Sequence, residues 1–229
     1  MNVINGRVAG ALYLVIIVFG IAAELIRSSV LVSGDAAATA ENVRDSEWLL
    51  RAAFSATLAY TLCEVVLTVI LYLLFRPVSQ PLSMIAAAFR LISLAIYGLN
   101  QLNMLAPLLL ADAGQPQTLA LLFLDLHQYG YAIGLTFFAA NCFAMSYLLV
   151  KSSHVPTALG ILLGVAGVGY LVHSYAYFLV PGHLGSAMLI LFAPAVVAET
   201  WFCLLLLRKG GGVQAWEEPV GRRAKAGLV

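Results

Sequence analysis

Residues 82–104 read LSMIAAAFRLISLAIYGLNQLNM, and this stretch decides the fold. A helix of roughly 20 mostly apolar residues, rising 1.5 Å per residue, is what crossing the hydrocarbon of a bilayer requires. One arginine, Arg90, interrupts the run in its first third. A cation inside hydrocarbon costs about 3 kcal/mol or more, so Arg90 has to face protein groups or water rather than lipid. Tyr97, Asn100, Gln101 and Asn103 follow toward the far end.

Working outward, five further apolar runs flank this one. They place spans at 8–27, 49–75, 82–106, 127–150, 157–179 and 184–207. Composition agrees: 62% of the 229 residues are hydrophobic and 10% charged, with mean hydropathy +0.95, where soluble domains carry about 25% charge. Six spans and short connections leave no segment for a separate soluble core. The expected fold class is all-α, a polytopic transmembrane bundle of six helices over 1–209, followed by a flexible cytoplasmic tail over 210–229. The expected partner is the lipid bilayer. A net charge of +1 gives no footprint for nucleic acid. Cys63, Cys142 and Cys203 all fall inside apolar runs without a CxxC, which reads as packing rather than disulfide or metal chemistry.

The connections carry their own signals. The first run resembles a signal peptide in having Arg7 before it and Ala22 and Ala23 near its end, but the charge pattern is consistent when it is kept as a span. Glu24 and Arg27 lie one turn apart and can pair at the interface. Residues 28–46 form the longest polar connection, with AAATAENV at 36–43 as a short interfacial helix and Asp45 or Ser46 placed to cap the next span. Pro77 and Pro81 flank a tight loop, and Pro107 marks a kink or stop in the third span. The run at 119–150 exceeds one simple span. It is either a projecting, tilted helix or a span preceded by a short interfacial helix at 119–126. Gly160 and Gly164 form a GxxxG pair that lets helices approach closely, and Pro181, Gly182 and His183 make a turn.

Six spans put both ends on one side. That side holds Arg7, Arg76, Lys151, Arg208, Lys209, Arg222, Arg223 and Lys225, whereas the other holds Arg27, Arg44 and Arg51. The positive-inside rule then expects a multi-pass protein of the bacterial inner membrane with both termini cytoplasmic.

Within the spans, Glu64, Arg90 and Glu199 fall at compatible depths and suggest a buried ion-pair network, with the arginine between two carboxylates. Two carboxylates and one guanidinium leave one excess negative charge, which a proton or a cation would neutralise. A second, outer group comprises Glu24, Asn100, Asn103, His127 and His173, with Tyr129, Tyr170 and Tyr175 near it. His127 and His173 are the candidates for a haem or metal, although no HExxH or paired-histidine spacing accompanies them, and no cofactor is expected from motif. No nucleophile and base pair up in the manner of an intramembrane hydrolase.

The chain also resembles a known family, the bacterial six-span membrane proteins of domain of unknown function 4386. The resemblance rests on RVAGALYLVII at 7–17, Glu24, Glu64 with LYLL at 71–74, Arg90, Phe137 and Phe138, YLL at 147–149, Ser153, Pro156, Leu159-Gly160, Gly167, Tyr170, Pro194 and Glu199. It departs at His154 and Val155 and in its added tail. The resemblance implies a six-helix integral membrane protein and no established activity. Three functional readings remain open from the residues: a small transporter, channel or proton- or cation-handling protein built on Glu64, Arg90 and Glu199, with a small ion or molecule as cargo; a haem or metal protein built on His127 and His173; and a structural or accessory protein whose polar residues only hold helices together.

Overall fold

The computed structural model describes residues 5–30, 32, 35–113, 116–180 and 190–209. The described chain is helical: α1 (Gly6–Val30), α2 (Ala36–Asp45), α3 (Glu47–Phe75), α4 (Gln80–Asp112), α5 (Gln117–Lys151), α6 (Thr157–Leu179) and α7 (Ala193–Lys209). Six of these, all but α2, are long and apolar enough to cross a membrane. The protein is an all-α membrane bundle. The turn expected at 181–183, the start of the sixth span at 184–189 and the tail at 210–229 lie outside the described residues.

The spans pack in a closed ring. Each one contacts the next along the order α1, α3, α4, α5, α6, α7, and α7 returns to α1. Without a hydrophobic drive between helices in lipid, such contacts depend on close backbone approach. At the α5–α6 seam a Cβ on Gly160 would stand 2.9 Å from both the Ser146 carbonyl oxygen and the Val150 nitrogen. That contact is too tight for any side chain. The Ser146 hydroxyl donates to the Gly160 carbonyl across the same seam, at 2.7 Å. The expected GxxxG face is thus an internal packing face. The α1–α7 closure works alike, with Gly10 against the Leu207 backbone and the Cys203 thiol donating to the Gly10 carbonyl at 3.3 Å.

Outward faces carry the large apolar residues, Leu62, Leu99 and Ile161 among them, as a lipid-facing surface requires. The main core fills the ring's interior with Leu67, Leu71, Leu135, Leu148, Leu159, Phe202 and Leu206. A smaller cluster of Val30, Val43, Leu50 and Leu108 fastens α2 across one end. Asp35 caps α2 by accepting from the Ala38 amide at 2.9 Å, so the residues expected to form a short helix do form one. Ser46 stands at the N-cap of α3 but makes no side-chain capping bond.

Two expectations resolve in a definite direction. Pro107 neither stops nor ends α4, which continues to Asp112. The long fourth run is one continuous helix of 35 residues rather than an interfacial helix leading into a span. Helix lengths differ, with 33 and 35 residues in α4 and α5 against 25 in α1 and 23 in α6.

Candidate functional site

Arg90 sits on α4 inside the ring and is 3% exposed. Its guanidinium Nη2 lies 3.6 Å from Glu64 Oε2 on α3. Nη1 donates to the Tyr13 hydroxyl of α1 at 3.5 Å. The guanidinium carbon also stands 5.5 Å from the centre of the Tyr13 ring and 5.4 Å from that of Phe138 on α5. A desolvated cation over an aromatic face gains about 2 kcal/mol, so these rings replace part of the hydration that Arg90 has lost. Its Nε has no hydrogen-bond partner.

Glu199 on α7 acts on Arg90 and on Glu64 through space but makes no direct ion pair with Arg90 among the described residues. The Tyr170 hydroxyl of α6 is close enough to Glu199 to interact with its carboxylate. Tyr170 in turn packs against Phe138, with ring centres 5.7 Å apart. Tyr13, Glu64, Arg90, Phe138, Tyr170 and Glu199 thus come one from each span, α1, α3, α4, α5, α6 and α7.

Of the expected outer group, Asn100, Asn103 and His127 meet at the α4–α5 seam, with Glu24 and Arg27 near enough to act on His127 through space. Glu24 pairs with Arg27 on the exposed side of α1, through Arg27 Nε at 2.8 Å and a second bond from Nη2. Asn100 and His127 tie α4 to α5 reciprocally: Asn100 Nδ2 donates to the His127 carbonyl at 2.8 Å, and His127 Nδ1 lies 3.2 Å from the Asn100 carbonyl. Asn103 donates to Asn100 Oδ1 at 2.9 Å. His173 packs instead against Tyr177 and Phe192. The two histidines share no contact, and among the described residues no group of three or more His, Cys, Asp or Glu side chains gathers as metal ligands would. Tyr170, read from sequence as a neighbour of this outer group, belongs with Glu199.

With that geometry in view, one comparison is decisive. The profile of the family described as Domain of unknown function (DUF4386) matches residues 8–210. The chain belongs to this family. An uncharacterized protein of Archaeoglobus fulgidus is 31% identical over 111 residues, which are 48% of this chain and 57% of that protein. The chain therefore matches little more than half the length of that relative. No solved structure matches.

In this DUF4386 chain, sequence reasoning singled out the charges but missed what surrounds the guanidinium. Tyr13 reads as an ordinary packing aromatic, yet its hydroxyl and ring both meet Arg90. Phe138 carried no signal beyond its place in an FF pair. Asn141 lies deep in α5. It is 3% exposed and shares a crevice with Arg90. A polar side chain in mid-span is the one signal that flags Asn141, because hydrocarbon gives it no partner.

Proposed function

We propose that this protein handles a proton or a small cation within the membrane, at the Glu64–Arg90–Glu199 cluster. The carrying observation is the charge count inside the ring: two carboxylates share one buried guanidinium, and only Glu64 is in direct contact with it. Glu199 is left with a tyrosine and a through-space attraction. A neutralising proton or cation has its place there. Pairing alone would need one carboxylate, not two.

The membrane concerned is proposed to be the plasma membrane, with both termini on its cytoplasmic side. Arg7, Arg76, Lys151 and Arg208 lie at the end of the bundle where α1 begins and α7 finishes, whereas Arg27 and Arg51 at the other end are each paired with a glutamate. The contact of Tyr13 with Arg90 supports a retained first span.

The test is flux into liposomes containing the purified protein, with an interior pH dye for protons and radioactive sodium or rubidium for cations. Wild type should carry one of these, and Glu199→Gln should lose it while keeping its elution profile. A wild type that carries none, or a Glu199→Gln variant with full flux, would overturn the proposal. The chain would then be a bundle whose charges only fix helix register.

A further inference from the structure

A crevice runs along the inner face of α4 from Ser83 to Arg90. Ser83, Ala86, Ala87 and Arg90 recur every three or four residues and share one helix face, so the crevice covers two turns, about 10 Å. Thr68 and Tyr72 of α3 wall one side, and Asn141 and Met145 of α5 the other. Ser83 is in the first turn of α4, so the crevice begins near the bundle's basic end and finishes at the guanidinium.

Its lining is mostly apolar, with a few polar groups set into it. The Ser83 hydroxyl donates to the Tyr72 carbonyl at 2.9 Å and the Thr68 hydroxyl to the Glu64 carbonyl at 2.7 Å. Both hydroxyl oxygens keep lone pairs for a further donor. Arg90 Nε–H has no acceptor. The Asn141 side chain, on a residue 3% exposed, lines the same gap. A buried N–H without an acceptor, beside a gap that a buried carboxamide also lines, marks a place for water. The gap has room on the order of one water.

From this we infer that the crevice is the aqueous inlet of the cluster, a single-water site between Arg90 and Asn141 through which protons, and not metal ions, reach the buried carboxylates from the basic end. This rests on the reading of the cluster as a charge-handling site and narrows its substrate to the proton. A sodium or potassium ion needs several oxygen ligands about it, and a passage one water wide, walled by a guanidinium, denies them. A proton needs only a file of hydrogen bonds. It enters from bulk water, is passed by the held water and adds to a carboxylate of the cluster, and the reverse transfer returns it to water.

The experiment combines hydroxyl-radical footprinting of the purified wild-type protein with proton flux in liposomes. Met145 borders the crevice and is only 5% exposed, so its oxidation by a water-borne radical reports on water in the inlet. Met145 sulfoxide should form readily in wild type. It should fall at least fivefold in Asn141→Leu and in Ala87→Leu, which fill the crevice from two different helices, and proton flux should fall at least tenfold in both. Leu62→Ala, on an outward face and outside the crevice, should keep both near wild type, and all three variants should keep the wild-type elution profile. A wild-type Met145 that resists oxidation would overturn the inlet, whatever the flux. Sodium or rubidium flux that Asn141→Leu blocks would overturn the restriction to protons. An oxidised Met145 without any wild-type flux would sink the charge-handling reading and the proton route with it, and leave only a hydrated crevice.

Discussion

Consider removing the guanidinium by Arg90→Met, alone and in a cycle with Glu64→Gln and Glu199→Gln. At 3.6 Å a pair of unit charges attracts by about 4–5 kcal/mol at an effective dielectric constant of 20. Breaking a buried pair from one side typically costs about 3–5 kcal/mol, because the other charge stays behind. Here two carboxylates stay behind, so Arg90→Met raises the excess from one negative charge to two. At about 2–4 °C per kcal/mol for a chain of this size, the apparent melting temperature in detergent should fall by roughly 6–20 °C. The carboxylate variants move the other way in charge. Glu64→Gln leaves the cluster neutral but breaks the direct contact, so it should destabilise less than Arg90→Met. Glu199→Gln leaves it neutral with the contact intact, so it should be neutral or stabilising by up to about 1 kcal/mol, even though it is the variant expected to lose flux. Such opposition between stability and activity is common where a site holds unbalanced charge. The cycle should give a coupling of about 2–4 kcal/mol for Arg90 with Glu64, and a smaller one with Glu199. A coupling with Glu64 below about 0.5 kcal/mol, or a Glu199→Gln variant as unstable as Arg90→Met, would refute the electrostatic reasoning.

Gly160→Ala should destabilise by about 1–3 kcal/mol, because its Cβ meets backbone atoms of α5 that cannot move aside. Gly20→Ala, which meets nothing within 4 Å, should be neutral or stabilising by up to about 1 kcal/mol, and equal losses at the two sites in a thermal melt would contradict the seam described. Asn100→Ala removes the side-chain bond to the His127 carbonyl and should cost about 1 kcal/mol, in line with hydrogen bonds between membrane helices, as measured by the denaturation midpoint. An absorption spectrum and metal analysis of the purified protein should show neither a Soret band nor stoichiometric metal. Either signal, lost in His127→Ala or His173→Ala, would contradict the assignment of these histidines to helix packing.

The spans were legible because the bilayer imposes a length and a polarity that a linear sequence records directly. The charges inside them were legible for the same reason, since Glu64, Arg90 and Glu199 stand out against apolar neighbours. Which helix lies beside which is not recorded locally. Tyr13 meets Arg90 across 77 positions, through a ring order that only the packing of all six spans determines. Pro107 left kink and stop both open, because a proline frees a carbonyl wherever it sits, while neighbouring helices decide whether the helix survives it. The long fourth run stayed ambiguous because polar residues such as Asp125 and Gln128 suit an interfacial turn as well as a projecting helix. His127 could not be placed by its spacing, since its partner Asn100 belongs to another helix and is engaged largely through its backbone carbonyl.

The uneven helix lengths reach beyond the protein into the lipid around it. At 1.5 Å per residue, α4 and α5 measure about 50 Å, against a hydrocarbon thickness of about 30 Å. The ring places these two long helices side by side. Tilt, projection and a locally thicker bilayer take up the extra length on that flank. Each ångström of such mismatch costs a fraction of a kcal/mol. The bundle therefore stands in a collar of lipid that is thicker on one side than on the other. It should favour mixed membranes, where short- and long-chain lipids can sort around its circumference, over bilayers of a single chain length.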